Sequence, residues 1–93
     1  MNIGVENSFS PGKEIKGDFN FSLSGTWVAT VHVQRSFDRY NLDSDSDATW
    51  VDVDSFTANT EQIGLEPQSR VYYRWGIKTG NYTSGTAVGD ISQ

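Results

Sequence analysis

The sequence predicts a small all-β domain, an antiparallel β-sandwich of immunoglobulin-like or jelly-roll-like type with about six or seven strands. Three observations support this prediction. Strand-forming residues are abundant, with 3 Trp, 4 Tyr and 5 Phe, whereas Met occurs once. Short runs alternate between apolar and polar residues, with turn residues between them. The 93 residues are enough for one domain only.

The central pattern is a pair of strand-like runs, 26–38 and 48–56, on either side of an acidic segment. This arrangement predicts a β-hairpin with a long tip. By period-two alternation, one face of the first run carries Trp27, Ala29, Val31 and Val33.

The second run of the hairpin alternates valine with aspartate. We expect Val51 and Val53 to face the core, because unpaired carboxylates such as Asp52 and Asp54 are costly to bury. The aspartates then face solvent, a partner or a metal. Trp50 and Phe56 lie at positions of the same parity as the two aspartates, and they are expected to cap the sheet or to form an exposed aromatic patch.

Two further runs have clear alternation. The first, 14–23, places inward Ile15, Gly17, Phe19, Phe21 and Leu23, and Ser24-Gly25 then predicts a tight hairpin into the next strand. The second, 70–78, places inward Val71, Tyr73, Trp75 and Ile77. Its outer face carries Arg70, Arg74 and Lys78, which we expect to pair with Asp52 and Asp54 across the sheet.

The remaining segments complete the domain organisation. Turns are predicted at Glu66-Pro67 and over 79–85, with a short last strand at 86–91. Residues 1–12 are predicted as an N-terminal arm, and 13–93 as the sandwich domain. The arm has two interpretations: a short first strand, or a flexible segment that orders against a neighbouring subunit.

Composition excludes several classes of function. The net charge of −5 and the scattered basic residues argue against a nucleic-acid partner, which requires clustered Lys and Arg. No apolar run approaches the roughly 20 residues of a membrane span, so no membrane partner is expected. The first residues have neither a basic region nor an apolar region of a Sec signal. No Cys is present to form a disulfide.

The sequence indicates no catalytic residues, and we expect a protein that is not an enzyme. His32 is the only histidine, and without Cys or a second His it completes neither a catalytic triad nor a zinc site. Nothing selects an acid–base pair among the carboxylates. Tyr72 and Tyr82 are surface candidates for stacking on sugar, with packing as the alternative.

The acidic tip is the candidate metal site. Asp43, Asp45 and Asp47 have the alternate spacing of calcium ligands, but Ala48 stands where an EF-hand needs Gly, and the flanks are strands. Two interpretations remain: a looser calcium site on a β-loop, or a solvated tip whose residues favour turns. Apart from that calcium alternative, no cofactor is expected.

One motif is typical of a folding device. Ser36-Phe37-Asp38 and Ala48-Thr49-Trp50 resemble the two parts of an Asp-box hairpin, separated by an insertion and lacking its Gly. In that hairpin the Ser and Asp side chains bind turn backbone groups and the Trp packs beneath.

The run from Phe19 to Gln93 resembles a family of short proteins encoded by tailed bacteriophages and prophages. The resemblance is carried by Gln34-Arg35-Ser36-Phe37-Asp38, Thr49-Trp50, Tyr73-Arg74 and Thr83-Ser84-Gly85, and the insertion 39–47 departs from the usual short turn. Members are generally virion structural proteins, small β-sandwiches on head or tail surfaces. The resemblance carries over no catalytic residues.

The resemblance implies a capsid decoration, or cement, protein. We expect it to bind the lattice of the major capsid protein and neighbouring copies of itself, as a homotrimer, in a virion assembled in the host cytoplasm. The arm and an outer sheet face would make the contacts. The alternative is a carbohydrate- or receptor-binding module of a phage fibre or particle surface, binding surface glycans with calcium held by Asp43, Asp45 and Asp47.

Overall fold

The computed structural model describes all 93 residues and is a five-stranded antiparallel sheet, so the all-β class is confirmed. The strands are β1 (Asn2–Ile3), β2 (Ser8–Phe9), β3 (Lys13–Ser36), β4 (Val51–Phe56) and β5 (Thr60–Ser92). Two short 3₁₀ helices, Arg39–Asn41 and Asp45–Asp47, lie in the hairpin tip. The structure contains no helix with the length and hydropathy needed to cross a membrane.

The long strands β3 and β5 form the centre of the sheet, and each pairs along several parts of its length. Residues 17–23 of β3 pair with 66–60 of β5, and 20–28 also pair with 92–84 on the other side. Further along, residues 31–36 pair with 77–72. β3 is therefore one continuous strand that has different neighbours at its two ends, and β4 pairs with the second end.

The core confirms the alternation that the sequence shows. It contains 13 buried residues, namely Ile3, Ile15, Phe19, Phe21, Leu23, Val31, Val33, Val71, Tyr73, Trp75, Ile77, Ala87 and Ile91. Trp27 and Ala29 are half-buried and pack against this cluster. The apolar positions of both alternating runs thus face one interior, as period-two side-chain geometry requires.

Two glycines lie directly beneath aromatic rings of the core. A Cβ atom added to Gly89 would lie 2.6 Å from ring atoms of Trp75, and one added to Gly64 would lie 2.6 Å from the ring of Phe19. Any larger residue would push the ring away, so these positions require glycine because of close approach.

Residues 1–12 form two short strands on the sheet and no separate arm. β1 pairs with Ala87 and Val88, and β2 pairs with Gly76 and Ile77. Ile3 is only 2% exposed and belongs to the core. Of the two interpretations of this segment, the structure therefore has the strand, although Met1 and Val5 remain 52% and 60% exposed.

The predicted tight hairpin at Ser24-Gly25 is wrong. β3 continues through it, with Ser24 opposite Val88 and Gly25 opposite Ala87. Gly25 has a φ of +98°, which bends the strand without reversing it. Likewise β5 continues through both predicted turns. At the first of them, the pairing of β5 with β3 skips residues 67–70 between Glu66 and Val71. The sequence suggested more and shorter strands because glycine marks bends and turns alike.

The hairpin 26–56 forms as predicted, but the expected burial of two of its valines is wrong. β4 pairs antiparallel with β3, yet Val51 and Val53 are each 47% exposed. β4 lies at the end of the strand order, so nothing covers its far side. A bulge places Gln34 opposite Asp52 and Val33 opposite Asp54, which leaves Val53 as the extra residue and interrupts the alternation.

Candidate functional site

The hairpin tip folds back over the outer face of the sheet. The Trp50 indole Nε1 donates to the Asp45 carbonyl at 2.8 Å. The guanidinium of Arg74 lies over two rings, 4.1 Å from the centroid of Phe9 and 4.3 Å from that of Trp50. Arg39 lies over the Tyr72 ring. Trp50 therefore caps the sheet through cation–π contacts, one of the two roles expected for it.

The Asp-box-like residues perform the structural role that the motif predicts. The Ser36 hydroxyl donates to Asp38 Oδ1 at 2.7 Å, and the Thr49 amide donates to the same oxygen at 3.0 Å. The Ser36 hydrogen bond, followed by that from Thr49, lowers the pKa of Asp38 below its ordinary value. These bonds join the two ends of the tip without the short turn of the motif.

The three aspartates of the predicted calcium site are not brought together. Asp45 accepts hydrogen bonds from Arg39 Nε at 2.5 Å and from the Gly12 amide at 2.7 Å. Burial alone raises the pKa of Asp45, but these bonds outweigh it and lower the pKa. Asp43 and Asp47 are exposed, and the chain contains no group of three or more His, Cys, Asp or Glu side chains placed to hold a metal.

A polar ladder crosses the outer face of the sheet. Arg74 Nε donates to Gln34 Oε1, and Gln34 Nε2 donates to Asp52 Oδ1, both at 2.9 Å. Lys78 Nζ binds the other carboxylate oxygen of Asp52. Hydrogen bonds from Lys78 and then Gln34 lower the pKa of Asp52. The expected cross-sheet pairing is confirmed for Asp52, whereas Asp54 accepts only from the neighbouring Ser55 amide.

The single histidine belongs to this outer face, as its parity predicts. His32 Nε2 lies 3.3 Å from Asn81 Oδ1, and its Nδ1 lies 4.0 Å from Asp52 Oδ2. Both ring nitrogens therefore have polar neighbours on the sheet surface. Tyr82, the second aromatic surface candidate, is half-buried and donates its hydroxyl to the Gly85 carbonyl.

The prediction of a turn at Glu66 did not foresee that its carboxylate is buried among polar partners. Glu66 is 2% exposed and accepts from the Tyr73 hydroxyl at 2.8 Å and from the Gln68 amide at 3.1 Å. Arg35 Nη1 lies 3.5 Å from Glu66 Oε1. Burial, followed by the hydrogen bond with Glu66, raises the pKa of Tyr73. Arg35 lies two residues before Phe37 in the hairpin. Nothing in this local sequence indicates that Arg35 pairs with the distant Glu66.

The surface best suited to bind a partner is an apolar region between two strand edges. A cleft of about 110 Å³ lies there, with a lining formed by Phe19, Phe21, Val33, Val53, Asp54, Phe56, Gln62, Ile63 and Gly64. This volume is below the roughly 150 Å³ of an apolar cavity that binds benzene, so the cleft has room for one small apolar side chain. We call the cleft, with Val51 and Leu65 beside it, the apolar edge surface.

Ile63 and Leu65 are the most exposed aliphatic residues of this surface, at 81% and 65%. Their outward direction follows from the register of β5. Gly64 must lie beneath the Phe19 ring and Glu66 must reach Tyr73, so the alternate positions 63 and 65 point outward. A one-residue slip would bury both aliphatic side chains but would lose the Glu66 contacts.

Both strands that border the cleft are sheet edges. β4 pairs with β3 alone, and residues 60–66 of β5 also pair with β3 alone. Their other sides therefore carry backbone N–H and C=O groups without a strand partner, which is a ready template for strand addition. Exposed apolar side chains and unpaired backbone groups are together the features of an interaction surface.

Comparison of the chain with protein-family models, with curated proteins and with solved structures gave no match.

Proposed function

We propose that this protein is a non-enzymatic virion structural protein of a tailed bacteriophage, a decoration protein that binds the major capsid protein on the particle surface. The family resemblance described above motivates the particle. The observation that carries a binding role is the apolar edge surface, where Val51 and Val53 are each 47% exposed beside the cleft. Large apolar surfaces left in contact with water mark interaction sites.

The contacts with the capsid follow from this surface. Residues 1–12 pair with β5 in the sheet, and we place the main capsid contacts on β4 and the cleft. An apolar side chain of the capsid protein fits the cleft over Phe19 and Phe21. Many copies on a repeating lattice bind well even when each contact is weak.

The architecture proposed for this role is a small antiparallel sandwich. In support, core residues come from both ends of β3 and from the segments of β5 that pair with each end. The two parts of the bent sheet then form the two layers, with the cleft at their open side between β4 and residues 60–66.

The alternative proposal, a calcium-dependent glycan- or receptor-binding module, has less support. Its calcium ligands would be Asp43, Asp45 and Asp47, but Asp45 is bound to Arg39 and to the Gly12 amide. An ion would have to displace both groups from the carboxylate.

The proposed function is tested on particles of the phage or prophage that encodes the chain. Particles are purified by density gradient, and the protein is quantified by mass spectrometry relative to the major capsid protein. A fixed, high ratio to the major capsid protein supports decoration. A few copies per particle favour the fibre module, and absence from particles refutes both.

A further inference from the structure

We infer that residues 60–66 of β5 form a two-fold contact with the same residues of a second copy of this chain, joining the two sheets edge to edge. The inference does not depend on the capsid proposal, because it uses only the geometry and charges of this edge. The segment pairs with β3 in unbroken register, from Leu23 opposite Thr60 to Gly17 opposite Glu66. Its other side is unpaired, so its backbone is free to accept another strand.

A two-fold contact requires that each residue of the segment meets its symmetry-related partner without conflict. Antiparallel pairing centred on Ile63 places Ile63 opposite Ile63 of the second copy. It also places Leu65 opposite Glu61 of the second copy, and Gln62 opposite Gly64 of the second copy. The two most exposed aliphatic side chains, 81% and 65% exposed, are then covered along one face of the joined sheet.

The charges of this edge permit such a contact although each copy has a net charge of −5. Glu61 is the one charged side chain that this face of the segment carries, and it meets Leu65 of the second copy, not another carboxylate. Glu66 points inward and is 2% exposed beside Arg35. The remaining repulsion acts between whole molecules, so added salt should strengthen the contact.

The other free edge, β4, does not support the same contact. Pairing two copies of β4 about Val53 would place Asp52 opposite Asp54 of the second copy, and like charges directly opposite destabilise a strand pair. The bulge at Val53 also interrupts its register. Bulges and charges protect edges from pairing, so β4 is protected from self-association and residues 60–66 are not.

The consequence is a dimer with a two-fold axis, in place of the homotrimer expected from the resemblance. A contact of one short strand is small compared with standard interfaces, so the dimer forms and dissociates with concentration.

The test is the oligomeric state of the purified protein by sedimentation velocity and native mass spectrometry, over a wide range of concentration. The variants are Ile63→Lys and, as a matched control, Val28→Lys, since Val28 is 57% exposed and pairs with Ser84 away from this edge. Far-UV circular dichroism checks that both remain folded. We expect a wild-type dimer that Val28→Lys retains and that Ile63→Lys weakens by at least about tenfold, because burial of one isoleucine corresponds to that factor or more.

Three results would overturn the inference. They are a wild-type protein that stays monomeric at every concentration, a trimer, and a dimer that Ile63→Lys leaves unchanged. Hydrogen exchange supplies a separate readout, since the amides of residues 60–66 should gain protection on dimer formation whereas those of β4 should not.

Discussion

The buried contacts of Glu66 predict a large loss of stability when its carboxylate is removed. Glu66→Ala leaves the Tyr73 hydroxyl without its acceptor, which costs about 1–3 kcal/mol for a buried polar group. It also leaves Arg35 without its counterion, but the Arg35 side chain is 39% exposed and water compensates in part. With the small cavity added, we expect the free energy of unfolding to fall by about 3–5 kcal/mol.

A double-mutant cycle assigns this loss to the hydrogen bond. Tyr73→Phe alone should cost about 1–2 kcal/mol, because Glu66 keeps the Gln68 amide and Arg35. If the Tyr73–Glu66 bond matters, the double variant should lose less than the sum of the single variants by about 1 kcal/mol or more.

The assay is urea unfolding followed by tryptophan fluorescence. The matched control is Glu14→Ala, an exposed glutamate of β3 outside residues 60–66, which should change the free energy of unfolding by less than about 0.5 kcal/mol. The reasoning is refuted if Glu66→Ala and Glu14→Ala have equal stability, or if the cycle shows no coupling.

Three further predictions concern other parts of the chain. Gly89→Ala should destabilise the fold by about 1–3 kcal/mol and alter the near-UV circular dichroism, because the new Cβ would meet the Trp75 ring; unchanged spectra would contradict the packing. The pKa of Asp52, measured by NMR titration, should lie below its ordinary value of 3.8, and Lys78→Gln should raise it. A lowered pKa stabilises the folded state at pH values above 3.8, and this contribution is lost as the pH falls through the pKa of the folded state. The wild-type protein should therefore lose more stability over this pH range than the Lys78→Gln variant. The melting temperature should be equal in calcium and in EDTA, because Asp45 is already engaged; a rise in calcium would favour the glycan-binding alternative.

The sequence predicted the core well where alternation is regular and both neighbouring strands are present. Phe19, Phe21, Tyr73 and Trp75 all face the interior as expected. The same rule failed for Val53, because a bulge adds one residue and because β4 has a neighbour on one side only. Neither the bulge nor the edge position is encoded in the alternation itself.

The course of the chain was harder to predict than the burial of its residues. Gly25 favours positive φ, and that conformation serves both tight hairpins and bends within a strand. Which of the two forms depends on the distant partner, here the segment around Ala87. No local pattern contains that information.

The apolar edge surface was predictable only in part. Ile63 and Leu65 form an apolar pair within a polar segment of the sequence. Their outward direction depends on Glu66, whose burial beside Tyr73 and Arg35 fixes the register. A glutamate before proline is typical of a turn, so this pattern does not indicate a buried carboxylate.

The measurement that tests the central claim most directly is the rebinding of purified protein to particles that lack it. Particles from a strain in which the gene is deleted are mixed with wild-type protein, with the Val51→Ser/Val53→Ser variant, or with the control Val28→Ser, and bound protein is quantified after sedimentation. We predict that wild type and control restore full occupancy, and that the Val51→Ser/Val53→Ser variant binds about tenfold more weakly because it loses apolar contact area. Equal occupancy by that variant, or no rebinding by wild type, would contradict a capsid-binding role for the apolar edge surface.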